Sequence, residues 1–249
     1  MPECADGGVM NKLESGANKL GLRLTPQQME QFQVYYQELI DWNRRLNLTA
    51  IIDYEDVQVK HFLDSLTVIL ALKQLPGKNV KLIDIGTGAG IPGIPLKIAL
   101  PDIELVLLDA TKKKVVFLEH IVGRLSLEGI QVVVGRAEEI AHQSEYRQQF
   151  DLVLSRAVAD LSVLTELALP FCAVGGRFIA QKKGDIEEEV QQAQWAISIL
   201  GGKLADVKHI ELPEFADERW LVVIDKVGET PPQYPRRPGI PAKRPLLPP

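Results

Sequence analysis

The sequence predicts a doubly wound α/β domain beneath a helical N-terminal cap, and three observations carry that prediction. Short apolar, β-branched runs alternate with helix-length stretches after Pro76-Gly77. One of those runs leads directly into glycines at alternate positions, Gly86, Gly88 and Gly90. Two apolar stripes at helical spacing precede them. Continuous apolar strands separated by helices are the pattern of a parallel sheet covered on both faces.

Taken in order, residues 1–24 read as a polar leader, 25–76 as the cap, 77–228 as the main domain and 229–249 as a tail. In the cap, Thr25-Pro26-Gln27-Gln28 supplies an N-cap, a proline at the first helical position and a capping-box Gln. Met29, Phe32, Tyr36, Leu39 and Ile40 then fall on one stripe, and the helix should end near Leu46-Asn47. A second helix is expected from Glu55 to Leu72, with Val57, Phe62, Leu66, Ile69 and Leu70 apolar. Five strands follow, at Val80 to Ile85, Ile103 to Asp109, Ile130 to Val134, Phe150 to Ser155 and Arg177 to Ala180. Two more, Lys203 to Leu212 and Arg219 to Val227, are joined by only Pro213 to Glu218. That is too short for a parallel crossover, so an antiparallel pair closes the sheet.

Composition bounds the function classes. The 249 residues are 46% hydrophobic and 24% charged, enough for a large buried core and too apolar for a disordered chain. Cys4 and Cys172 are the only cysteines, so neither a disulfide framework nor a cysteine zinc cluster can form, and His61, His120, His142 and His209 lack metal-ligand spacing. No metal is expected. No apolar run spans a membrane, and Met1 to Gly16 has no signal-peptide core, so a cytoplasmic protein without a membrane partner is expected. The formal charge is −5, but Pro231 to Pro249 holds eight of the sixteen prolines, Arg236, Arg237, Lys243 and Arg244, and no acid. This segment reads as an extended basic tail.

The glycine loop, Asp84-Ile85-Gly86-Thr87-Gly88-Ala89-Gly90, sits at the carboxyl end of a strand, where open α/β sheets bind ligands. Asp109 closes the next strand and can accept hydrogen bonds from both hydroxyls of a ribose, which makes the expected ligand an adenosine cofactor. Gly88 to Gly93 also fits the dinucleotide fingerprint, so an NAD-dependent oxidoreductase is one alternative, and a noncatalytic nucleoside-binding protein is another. Asp84 two residues before the first glycine, Pro92 and Pro95 in the loop, and the closing hairpin favour S-adenosylmethionine. At the third strand's end, Gly135-Arg136-Ala137-Glu138 can read an adenine edge with an amide and a carboxylate. The fourth ends in Ser155-Arg156-Ala157, where enzymes that methylate exocyclic amines carry Asn or Asp followed by Pro-Pro. A ring nitrogen such as guanine N7 already presents an in-plane lone pair, so alignment without a general base suffices there. Arg156 can position substrate or cofactor, or pair with a surface carboxylate; no catalytic residue is assigned. Lys182, Lys183, Arg156 and the tail arginines Arg236 and Arg237 could form a basic rim for a phosphate backbone, or be solvated loop charges.

These motifs resemble those of the bacterial small-subunit ribosomal RNA guanine-N7 methyltransferases, the RsmG or glucose-inhibited division protein B family. The shared pieces are Trp42-Asn43 with Asn47-Leu48-Thr49, His61-Phe62-Leu63-Asp64-Ser65, the stretch from Asp84 through Pro95, Ser155-Arg156-Ala157, and Tyr234-Pro235-Arg236 with Pro238-Gly239. The resemblance implies a class I methyltransferase fold, Rossmann-like with a mostly parallel sheet, a C-terminal antiparallel hairpin and a helical cap. It implies methyl transfer from S-adenosylmethionine to N7 of one guanine in the 530 loop of 16S ribosomal RNA, with that RNA or the small subunit as partner. A monomer is a separate expectation that the sequence itself does not fix. It places cofactor contacts on Gly86, Ile91, Asp109-Ala110-Thr111, Ala137-Glu138 and Arg156, and makes His61 and Asp64 candidates for shaping the site between cap and loop.

Overall fold

A computed structural model describes residues 10–72, 79–156 and 159–248. Cys4, the Pro76-Gly77 boundary and Ala157 lie outside the described residues. Seven strands, β1 (Lys81–Ile85), β2 (Glu104–Asp109), β3 (Ile130–Val134), β4 (Phe150–Ser155), β5 (Cys172–Lys183), β6 (Gly202–His209) and β7 (Arg219–Lys226), form one sheet in the order β3-β2-β1-β4-β5-β7-β6. The first five are parallel, and β7 runs antiparallel to both β5 and β6. The expected hairpin is therefore present; β6 points the same way as β1 to β5, and the antiparallel β7 inserted between β5 and β6 is what departs from the all-parallel sheet of a dinucleotide fold. β5 begins earlier than its apolar run suggests. Gly175 and Gly176 carry it through an irregularity against β4, where a Cβ on Gly176 would meet the Asp151 carbonyl.

Alternation along the strands divides the interior in two. Leu82, Leu105, Leu107, Leu152, Leu154 and Val223 face one core, while Ile83, Leu108, Val153, Phe178, Val222 and Ile224 face the other. The first core is covered by the cap and by α5 (Gly93–Ala99) and α6 (Lys112–Arg124). The second is covered by α7 (Ala137–Ile140), α8 (Leu161–Ala168) and α9 (Glu187–Ile199).

The long cap helix α2 (Pro26–Leu46) starts on the expected capping box, with Thr25 and Gln28 bonded reciprocally, and ends at a left-handed Asn47. The second cap helix is a composite run over 54–71. It is α-helical in α3 (Tyr54–Val57), π-helical at Gln58–Leu63, α-helical in α4 (Asp64–Leu66) and 3-10 at Thr67–Ala71. Phe62 from this run packs between Phe32 and Tyr35 of α2, with ring centroids 5.1 and 5.2 Å away.

Two segments differ from the sequence reading. The supposed polar leader carries α1 (Asn11–Lys19), whose Leu13 and Ala17, with Met10 and Leu20, are buried in the cap core. Its apolar residues at helical spacing were diluted by the charged residues on the other face. The supposed extended tail folds back over the second core. Arg147 donates to the Tyr234, Thr230 and Pro231 carbonyls, His142 bonds the Pro235 carbonyl at 2.9 Å, and a short helix, α10 (Ile240–Lys243), follows. Prolines lack amide donors, but their carbonyls remain available, and here two side chains collect them.

Candidate functional site

The glycine loop is held from beneath by two carboxylates. Asp84 is fully buried at the end of β1, and its Oδ2 accepts from the Thr87 hydroxyl at 2.6 Å and the Gly93 amide at 2.8 Å. Burial pushes Asp84 up to about 6, with those two bonds and Arg156 pulling it back. Its Oδ1 has no partner among the described residues. Asp109, at the end of β2, accepts from the Gly88 amide at 2.9 Å through Oδ2 and from the Thr111 amide at 2.8 Å through Oδ1. Each oxygen keeps a second lone pair.

The loop glycines have two jobs. Gly86 and Gly88 are in left-handed conformation, φ +66° and +63°. A Cβ on Gly86 would meet no atom within 4 Å, and one on Gly88 would meet only atoms at 3.9 Å. At Gly90 a Cβ would instead run into Ile94 and lie 3.0 Å from the Tyr35 hydroxyl; at Gly93 it would meet Leu107 and Asp84. The first pair thus leaves an open cradle, whereas the second pair lets helix, strand and cap approach. Tyr35 also donates its hydroxyl to the Ala89 carbonyl, so the cap grips the loop's inner side. An unpaired buried carboxylate oxygen beneath a cradle that a methyl group would fill, with a second carboxylate at its rim, fits a nucleoside carrying a cationic end. Ala110 and Thr111 are exposed beside Asp109, and Ala137 and Glu138 are half-buried after β3. The Ile91 side chain turns inward and joins the cap core.

Arg156 follows β4 and faces the cap. It donates to the Lys60 carbonyl at 2.8 Å, to Asp64 Oδ2 at 3.1 Å and to His61 Nδ1 at 3.1 Å. Arg156 thus pairs with a carboxylate, but a buried one and not the surface carboxylate that was one alternative. Asp64 is also approached by Arg219 at 3.6 Å, and its carbonyl accepts from Gln181 at 2.6 Å. Burial raises Asp64 and the two guanidiniums oppose the rise. His61 Nδ1 also lies 3.2 Å from the Lys60 carbonyl, but an arginine cannot give up its donors and that carbonyl already accepts from Arg156, which assigns Nδ1 as an acceptor. Nε2 then carries the proton and points at the Thr49 hydroxyl, 2.8 Å away. Lys60 and His61 both lie in the π-helical turn, and the Lys60 carbonyl and the His61 ring face the same guanidinium.

Burial, reinforced by Arg156, lowers His61 to about 3. Between that value and the ordinary 6.5 the unfolded chain binds a proton that the folded chain does not. This contribution to stability is present above 6.5 and is lost as pH falls toward 3. Asp84 acts in the opposite sense: its raised value favours the folded state below 3.8 and is lost as pH rises through 6. His61→Gln is therefore expected to flatten the fall in thermal midpoint between pH 6.5 and 4, read from melts of both proteins across that range. An unchanged pH slope would contradict the neutral buried imidazole.

Beside Arg156 lies a cleft of about 680 Å³, lined by Lys60, His61, Asp64, Gln181, Lys183 and Arg219 among others. Lys182 is engaged inside it, donating to the Ala159 carbonyl at 2.8 Å and pairing with Glu189. Lys183 is exposed and has no partner among the described residues. In the tail, Arg236 is spent on the buried Glu166, whereas Arg237 is exposed. Among the described residues no group of His, Cys, Asp and Glu could hold a metal ion, and no helix is long and apolar enough to cross a membrane.

A family model described as rRNA small subunit methyltransferase G matches residues 28–218. The chain belongs to this family. Among its curated relatives, the Ribosomal RNA small subunit methyltransferase G of Dehalococcoides mccartyi strain CBDB1 is 53% identical over 238 residues, covering 96% of this chain and all of the relative. That of Pelotomaculum thermopropionicum is 47% identical over 234 residues, covering 94% and 97%. A solved S-adenosylmethionine-dependent methyltransferase from Aquifex aeolicus shares the fold, with a TM-score of 0.51 at 14% identity over 70% of this chain and 94% of that one.

Four residues of this family member escaped the sequence reading: Tyr35, Gln181, Arg219 and Glu166. The first three reach the loop and the Arg156 network from other elements. Glu166 lies within an apolar helix, where a lone acid was the available signal.

Proposed function

We propose that this chain transfers the methyl group of S-adenosylmethionine to N7 of a guanine in the 530 loop of 16S ribosomal RNA. The observation that carries the reading is the open cradle at Gly86 and Gly88, with Asp109 bonded to the Gly88 amide and Glu138 following the next strand, β3, along the same edge of the sheet as the cleft beside Arg156. The cofactor would supply an electrophilic methyl group. Asp109 would take the ribose hydroxyls, Glu138 the adenine edge, and Asp84 the cationic end. The cleft would hold the acceptor base, with the Asp64–Arg156–His61 network fixing its wall. His61 is held neutral there and cannot repel the sulfonium charge as an imidazolium would. Guanine N7 needs no proton removed before it attacks, so the task left to the chain is alignment. Family membership supports ribosomal RNA of the small subunit as partner. A monomer acting in the cytoplasm without a metal or a membrane completes the reading.

The test is transfer of labelled methyl to small-subunit RNA lacking the modification, mapped by cleavage at N7-methylguanine. Incorporation at a single 530-loop guanine is expected. Cofactor binding with no incorporation into naked RNA, subunits or assembly intermediates would point to a noncatalytic role. Lys183→Ala should weaken RNA binding and lower the slope of log affinity against log salt by about 1, with cofactor affinity unchanged. Salt titration of RNA binding checks this, and an unaltered slope would remove Lys183 from the RNA surface.

A further inference from the structure

The C-terminal segment ends against the carboxylate read above as the adenine ligand. Glu138 Oε1 accepts the Gly239 amide at 2.9 Å, and among the described residues this is the only hydrogen bond to that carboxylate. In the stretch Pro238-Gly239-Ile240-Pro241 only two amides exist, and that of Ile240 closes a turn on the Arg237 carbonyl at 3.0 Å. Gly239 is thus the one donor free to point outward, and its left-handed φ of +78° aims it. The turn that delivers it is anchored upstream by Arg147 and His142 on the Tyr234 and Pro235 carbonyls and by Arg236 on Glu166. Downstream, Pro241 is buried and Leu246 packs against the second core.

We propose that this segment is a brace that sets the Glu138 carboxylate for the cofactor, making Gly239 a positioning residue of the adenosine site. The inference rests on the reading of Glu138 as an adenosine ligand. One oxygen of Glu138 takes the brace amide, leaving the other and one further lone pair for a ligand. A glutamate has three rotatable side-chain bonds, and fixing them beforehand removes an ordering cost from binding. It also gives the Pro-Gly turn of this segment a reason unconnected with RNA.

The test is a double-variant cycle read by calorimetric titration with S-adenosylmethionine. One arm ends the chain after Pro238, which keeps Arg236, Tyr234 and Pro235 in place; the other is Glu138→Ala. Ending the chain is expected to weaken cofactor affinity about tenfold, the value of one charge-assisted hydrogen bond. Glu138→Ala should weaken it at least as much, and the two together no more than Glu138→Ala alone. If the shortened chain does not fold, Gly239→Val, which strains the turn without meeting any neighbour, takes its place in the cycle. Multiplying losses, or full affinity in the shortened chain while Glu138→Ala loses it, would overturn the brace and leave the Glu138 reading intact. Full affinity in Glu138→Ala would overturn both.

Discussion

Gly86→Val is expected to abolish measurable S-adenosylmethionine binding in a protein that still folds. Gly86 has φ +66°, where an L residue is strained by about 1–2 kcal/mol, so the thermal midpoint should fall modestly. The added atoms meet nothing in the protein within 4 Å of the new Cβ; they project into the cradle, where the cofactor's backbone contacts must form. Steric exclusion from a close backbone approach should reduce affinity by at least about a hundredfold. Gly90→Val makes the contrast. Its side chain would be driven into Ile94 and toward the Tyr35 hydroxyl, so the loss there should appear in folding, before any ligand is added. Cofactor titration of both variants, with melts taken without ligand, separates the two kinds of glycine. Undiminished affinity in Gly86→Val would refute the cradle.

The parts of this architecture that were legible in the sequence are those whose cause is local. A parallel strand buried on both faces is a continuous apolar run, and Asp84 and Asp109 are polar residues ending such runs, so β1, β2 and the acids at their ends could be placed from neighbouring residues alone. The capping box of α2 is equally local. What escaped was set by partners far along the chain. Arg156 pairs with Asp64, 92 residues earlier, and nothing in Ser155-Arg156-Ala157 encodes that partner. Helix α1 escaped for another reason: Lys12, Glu14 and Lys19 give it a polar composition while Leu13, Gly16 and Ala17 carry its buried face. The basic tail was misread because composition reports charge and proline content but not which cation is already paired.

Arg236 illustrates that last point with the largest stability effect expected in the molecule. Glu166 is completely buried, and among the described residues all of its hydrogen bonds come from Arg236: the backbone amide at 2.8 Å, Nε at 2.9 Å and Nη2 at 2.6 Å. Arg236→Met removes the guanidinium and leaves a buried carboxylate with a single amide, which should cost about 3–5 kcal/mol. Against a total stability of about 5–15 kcal/mol, that shift would be conspicuous in urea unfolding. Arg236→Lys should recover only part of it, because an ammonium cannot reproduce the fork that engages both carboxylate oxygens. Adding Glu166→Gln to Arg236→Met should restore more, since the amide carries no charge to be left uncompensated. An RNA-contacting arginine would behave in the opposite way: unfolding would be unchanged in Arg236→Met, and RNA affinity would fall with a smaller salt slope. The same chain segment that composition offers to nucleic acid is, at this residue, anchored to the protein's own interior, and the exposed Arg237 next to it is where a phosphate contact would have to be sought.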